Sequence, residues 1–311
     1  VFGEGARVEA DGLLVDRTLS SQYIVVEKQR PAGIWVRDGT LRLRDARISE
    51  SRYVSLQMDA HAEASVAGLL MDHGQYIYVI FPHLDGTETT EVRSHGATVL
   101  GGARLTVAGA RSSRMMTMSI LVNGADKPIA LGFKKEHAQV STVDATGLLV
   151  DSTLAGFAGT QYGVGILAEQ FATVRCAMCN IVANKSGGLT VRLSADLELS
   201  DSVVRATRGE LFAVPGGKPV ELADAVIVRE GGDASLLRCV LTDNPRSGLL
   251  VVTGGLATIG HSAVTGNGYG VVSEGALKVS AVDNGVWNNA LANFATDVGL
   301  DLPAAPAVLK D

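Results

Sequence analysis

The chain has 311 residues, 46% of them hydrophobic and only 19% charged, with 36 glycines, few aromatics and a net charge of −6. There is ample material for a core. The acidic balance, with no basic run longer than Lys134-Lys135, excludes the positive footprint that nucleic acid requires. No apolar stretch reaches the ~18 residues that span a bilayer. The chain opens at Val1 without initiator Met or signal peptide, which is expected of a mature or excised piece of a longer precursor.

In chain order, the first element is Ala10-Asp-Gly-Leu-Leu-Val-Asp-Arg-Thr-Leu19. It returns as Ala145-Thr-Gly-Leu-Leu-Val-Asp-Ser-Thr-Leu154, an offset of 135 that is close to six turns of a short repeat. Next come short strands that begin Gly33-Ile-Trp-Val36, Ser55-Leu-Gln-Met58, Tyr76-Ile-Tyr-Val79, Ala97-Thr-Val-Leu100 and Ser119-Ile-Leu-Val122. From Ile34 through Leu56, Ile77 and Val99 to Ile120 the steps are 22, 21, 22 and 21. The type recurs at Gly165-Ile-Leu-Ala168, Gly188-Leu-Thr-Val191, Glu210-Leu-Phe-Ala213, Gly248-Leu-Leu-Val251 and Gly270-Val-Val-Ser273. The gap of 46 from Ile120 to Ile166 reads as two turns with one strand unrecognised.

A second strand follows in phase. Leu41/Leu43 precede Asp45 and Ile48, and the same spacing gives Val174/Cys176/Ile181, Leu197/Leu199/Val204, Ala234/Leu236/Leu241 and Ala257/Ile259/Val264. Alternation over three or four residues is a half-buried strand, and three strands with three turns fill ~22 residues. One coil cannot bury its apolar edge alone, so coils stack. The expected fold is all-β: a right-handed parallel β-helix of about eleven coils with a ~22-residue period. It should occupy residues 1–294 as one domain, with loops near 123–137 and 152–162 and a tail or linker over 295–311. A leucine-rich horseshoe would need a Leu-x-x-Leu-x-Leu-x-x-Asn signature and a helix in each repeat, and the chain has neither.

On this repeat the chain resembles the pectin-lyase-like right-handed β-helix superfamily, and within it bacterial secreted β-helix repeat proteins. The resemblance implies a fold and not a chemistry; such families hold polysaccharide lyases, polygalacturonases, phage tailspikes and surface proteins. In the sugar-cleaving members the site lies on the outer face of the first sheet or its flanking loops. The outward slots of that sheet are expected at Trp35, Gln57, Tyr78, Leu100, Leu121, Leu167, Thr190, Phe212, Leu250 and Val272, and none is an acid or a base. A glycosidase needs two carboxylates on one surface, and a lyase needs a base. The column is instead mostly apolar and larger than a lone protein usually exposes. Either the chain covers it, with the 123–137 loop or the tail, or a partner or second copy docks there. In the latter case Trp35, Leu100, Leu121, Leu167 and Phe212 form the interaction face.

Histidines and acids cluster between residues 59 and 95. With tyrosines pointing outward to stack on sugar rings, Tyr76, Tyr78, His73, His83, Asp85 and His95 are the candidate substrate-binding residues; alternatively they are turn residues on a solvated edge. Asp45 and Asp201 share a corner slot and read as turn-formers, and the three cysteines as free, buried thiols. The sequence calls for no metal and no cofactor. The reading is a noncatalytic secreted or cell-surface domain for binding, adhesion or assembly, toward glycans. The alternatives are a polysaccharide lyase or glycoside hydrolase with loop-borne residues, and a tailspike-like trimer subunit.

Overall fold

A computed structural model describes residues 3, 5–17, 23–25, 32–75, 77–82, 88–124, 140–154, 163–212, 220–298 and 300, with the backbone alone for 23–25, 77–82, 88–93, 210, 212 and 220. Three parallel sheets of ten strands each wind as a right-handed β-helix. We call them B, C and A in the order the chain visits them, and number the coils 1 to 10. Coil 1 comprises Arg7–Asp11 in B, Leu14–Asp16 in C and Ala32–Arg37 in A; coil 10 comprises Lys278–Val282, Gly285–Trp287 and Ala292–Thr296. The last strand carries the repeat two residues past the expected boundary at 294. Ten coils at ~4.8 Å make a rod roughly 43 Å long.

Strand alternation fills the core. In sheet B, Leu41 and Leu43 stack through Ala64 and Val66 onto Leu105 and Val107, and all six are buried. Sheet C contributes one inward residue per coil, such as Ile48, Met71, Val150 and Ile181. Sheet A contributes pairs such as Leu56/Met58 and Ala97/Val99. An asparagine ladder, Asn244 to Asn267 to Asn289, ties coils 8 to 10 through side-chain amides 2.9 and 3.0 Å apart. The stacked amides satisfy buried polar atoms that an apolar core could not.

The corners explain why Asp45 and Asp201 stand where they do. The residue between sheets B and C has positive φ in every coil: Gly12, Asp45, Gly68, Gly109, Gly147, Met178, Asp201, Arg238, His261 and Asp283, all at 49–66°. Each is a left-handed turn and not a ligand. The turn at Met178 also brings Cys176 and Cys179 onto the same inner side, both buried; an extended strand would have faced them apart. The neighbouring Cys179 thiol, together with burial, pushes the Cys176 thiol well up. All three cysteines are free and buried.

Sheet A departs from the expected phase at two coils. Ile77–Pro82 does not join the wall; it pairs antiparallel with Glu88–Arg93 and parallel with Tyr23–Val25 in a separate three-stranded sheet. The wall strand of coil 3 is His95–Leu100, stacked directly on Val54–Asp59. Glu210–Phe212 likewise forms an antiparallel hairpin with Val220–Leu222, and Asp224–Val228 is the wall strand. The long gap after Ile120 is a single step, since Ile120 pairs with Ile166. The offset of 135 therefore spans four coils, Ala10 to Leu43, Val66, Val107 and Ala145, because excursions lengthen the intervening turns.

Those excursions have a rule. Between sheets C and A the connections of even coils are short: 50–53, 114–117, 183–186 and 243–246. Those of coils 1, 3, 5 and 7 are long: 17–31, 73–94, 152–163 and 206–223, whereas that of coil 9, 266–268, is short again. A chain excursion with side chains is about 10 Å thick, the spacing of packed sheets, and two coils provide ~9.6 Å. Successive coils therefore lack room for two such loops.

Over coils 1 to 5 sheet C shows the same two-coil period. Leu14-Val-Asp16, Leu70-Met-Asp72 and Leu149-Val-Asp151 alternate with Arg47-Ile-Ser49 and Arg111-Ser-Ser113.

Candidate functional site

The outer face of sheet A was expected to be an uncharged apolar stripe. The observed row is Trp35, Gln57, Thr98, Leu121, Leu167, Thr190, Ile227, Leu250, Val272 and Ala295. Thr98 and Ile227 replace Tyr78 and Phe212, whose strands leave the wall. Leu100 lies two residues further along the same strand. Leu167, Ile227, Leu250 and Val272 are buried yet stand apart from the inner core. These four side chains are covered, and residues 125–139 and the tail 301–311, which the sequence offered as cover, lie outside the described residues. Trp35, Leu100 and Leu121 are half-buried, and the side chain of Phe212 lies outside the described residues.

A second outward row, two residues on, is polar and was missed. It carries Asp59, Leu100, Asn123 and Glu169, followed by Arg192, whose guanidinium donates to Glu169 Oε2 at 2.7 Å. Asn123 Nδ2 donates to Glu169 Oε1 at 3.1 Å, and both members of the ion pair are buried. The signal was present in the sequence, since a strand that points Gln57 outward also points Asp59 outward. Asp224 is fully buried as well, held by Arg246 and by the Ser247 hydroxyl at 2.5 Å.

At the N-terminal end of this face the chemistry changes. Trp35 Nε1 and Gln57 Nε2 both donate to Asp59 Oδ2, at 2.8 and 2.9 Å. Because Nε2 is spent on a carboxylate, which only accepts, the orientation of the Gln57 amide is fixed. Its Oε1, and Thr98 Oγ1 in the next coil, are buried and have no hydrogen-bond partner among the described residues. His95, at the start of the Thr98 strand, is buried with its ring edge-on to Tyr53 at 6.3 Å. The result is an indole, an oriented amide, a carboxylate, an imidazole and a hydroxyl on three successive coils.

Of the residues expected to bind substrate, His95 belongs to this group. His73 stands exposed at the corner after sheet C, its Nδ1 3.0 Å from Asp72. Burial pushes the Asp72 carboxyl up, but Arg114 and His73 outweigh it and hold it below the usual aspartate range. Tyr78 is described by its backbone alone, in the separate sheet; Tyr76, His83 and Asp85 lie outside the described residues. Among the described residues no group of three or more His, Cys, Asp or Glu could hold a metal ion, and no helix is long and apolar enough to cross a membrane.

No family model and no curated protein matches the chain. Solved structures similar to it are parallel β-helix proteins. An alginate lyase from Paenibacillus sp. str. FPU-7 is 10% identical, with TM-score 0.49 over 91% of this chain and 89% of that one. Pectate lyase Pel9A is 12% identical, with TM-score 0.38 over 82% and 72%. The surface adhesin PfbA of Streptococcus pneumoniae is 10% identical, with TM-score 0.38 over 94% and 85%. These likenesses concern the course of the chain and carry nothing about its ligand.

Proposed function

We propose that this β-helix is a noncatalytic, extracellular or cell-surface domain that binds carbohydrate on the outer face of sheet A at coils 1 to 3. The observation that supports it is the grouping of Trp35, Gln57, Asp59, His95 and Thr98, with buried polar atoms still lacking a partner beside an indole. Native proteins rarely leave such atoms unmet, and a sugar offers an apolar ring face to an indole and hydroxyls to the polar floor.

Catalysis is disfavoured by spacing. Asp59 and Glu169, the carboxylates of the polar row nearest the proposed site, are three coils apart, roughly 14 Å, and Glu274 of the same row lies further along the wall. The separation exceeds the ~9.5 Å upper limit for a carboxylate pair acting on one glycosidic bond. Glu169 is moreover neutralised by Arg192.

A glycan array probed with the pure domain, with reducing-end and unsaturated-product assays on every glycan bound, tests the proposal. Binding without turnover is expected, and it should be lost in Trp35→Ala, in a variant whose circular dichroism shows the β-helix still folded. Release of shortened or unsaturated products would overturn the noncatalytic reading. Absence of binding across the array would overturn the carbohydrate reading.

A further inference from the structure

At the C-terminal end of the same wall, we infer that the segment 301–311 leaves the stack of coils and lies across the outer face of sheet A, as a strap seated on Leu250 and Val272 of coils 8 and 9. These two outward side chains are fully buried, yet no long connection starts beside them. The C-to-A connections of coils 8 and 9, 243–246 and 266–268, are both short. A side chain that points away from the core and still meets no solvent is covered by another part of the chain.

Three observations send the segment there and not into an eleventh coil. The first is the course of the chain at Leu300. Thr296 pairs with Ser273, which sets Leu300 opposite Leu277. Leu277 donates its N–H to Gly255 O of the coil before, on the way into sheet B, whereas Leu300 donates to the Glu274 carboxylate at 3.2 Å. Glu274 pairs with Val252 in the outward row beside Leu250 and Val272, so at residue 300 the chain is tied to the outer wall. The second is proline. In the register of coil 10, Pro306 would follow Asp283 at the B-to-C corner, which has positive φ in every coil, and proline is locked near −65°. Pro303 would follow Ser280 in mid-strand, where its missing N–H weakens a ladder. The third is the end of the rod. Phe294, stacked on the inward Val271, is 59% exposed, and an eleventh coil would bury it. A segment that crosses strands needs no ladder hydrogen bonds, which suits an extended proline-containing stretch. Residues 301–311 reach about 35 Å when extended, against ~9.6 Å from coil 10 to coil 8. Leu302, Val308 and Leu309 supply its apolar contacts.

The test is photo-crosslinking in the full chain, with a benzophenone side chain in place of Leu302 or of Leu309 and the products mapped by mass spectrometry. Crosslinks within one chain to Ser247–Val252 and Tyr269–Glu274 are expected. Crosslinks to Lys278–Val282 or Gly285–Trp287 would show an eleventh coil and overturn the inference. Crosslinks between two chains alone would give the wall to a second copy, and a segment that reaches no wall strand would leave its cover to the excursion of coil 7; either result also overturns it. Leu302→Asp combined with Leu309→Asp should uncover the wall, read as a several-fold rise in hydrophobic-dye fluorescence while circular dichroism shows the β-helix still folded. Unchanged dye fluorescence in that folded double variant would count equally against the strap.

Discussion

Met178 occupies a corner at φ 54° with its side chain largely exposed. For an L-residue this left-handed conformation costs roughly 1–2 kcal/mol, and glycine escapes that cost at some expense in unfolded-chain entropy. Coils 1, 3, 4 and 5 do use glycine at the same slot. Met178→Gly is therefore expected to stabilise the domain by up to about 1 kcal/mol, read as a higher denaturant midpoint at unchanged m-value. Arg238 and Asp201 share the slot but hold each other at 2.6 Å, so glycine there would also delete an interaction. At this scale the sequence was partly legible. Asp45 and Asp201 could be assigned to corners because a calcium ladder would need acids in successive coils. That every occupant of the slot is left-handed could not be read, since Met and Arg carry no such preference.

Between neighbouring coils the charged side chains follow the two-coil period. Arg42, Arg104, Arg111, Arg114, Arg175, Arg192, Arg238 and Arg246 belong to even coils and reach Glu9, Asp144, Asp151, Asp72, Glu198, Glu169, Asp201 and Asp224 of odd ones. Arg17 with Glu50 runs the other way. Coils of near-equal length can slip past one another, and a slip of one coil would set like charges together. The exposed pairs are individually worth little. The Arg192–Glu169 pair, buried at both ends, is different: Arg192→Met or Glu169→Leu alone should cost about 3–5 kcal/mol by stranding a charge, and the double variant should recover most of it. A double-mutant cycle in denaturant checks this, and additive losses would mean that the two residues act separately. Sheets B and C were legible because Leu41, Val174 or Leu236 sit in strands with no competitor nearby. Sheet A was misread at Ile77 and Leu211 because an excursion strand has the same alternation as a wall strand; only its hydrogen-bonded neighbour distinguishes them. One such misreading placed Tyr78 on the outward face and hid Thr98, and with it the floor of the proposed site.

As a whole the molecule is a one-dimensional stack whose stability sums over coils and their interfaces. The core is closed in the middle and opens at the last coil, where Leu277, Trp287, Leu291 and Phe294 are 44–70% exposed. Amide hydrogen exchange should therefore be fastest in Lys278–Val282, Gly285–Trp287 and Ala292–Thr296, and slowest in the wall strands Val164–Glu169 and Gly187–Val191. Uniform protection along the rod would show that it unfolds as one unit. The long connections at the C-to-A corner bear on how such a chain can change. Each leaves the wall and rejoins it one hydrogen-bonded step later, so added sequence contributes no height. The rod works as a rack with sockets ~9.6 Å apart, into which segments of any length could be exchanged while the pitch, and the wall that carries Trp35 and Gln57, stays the same.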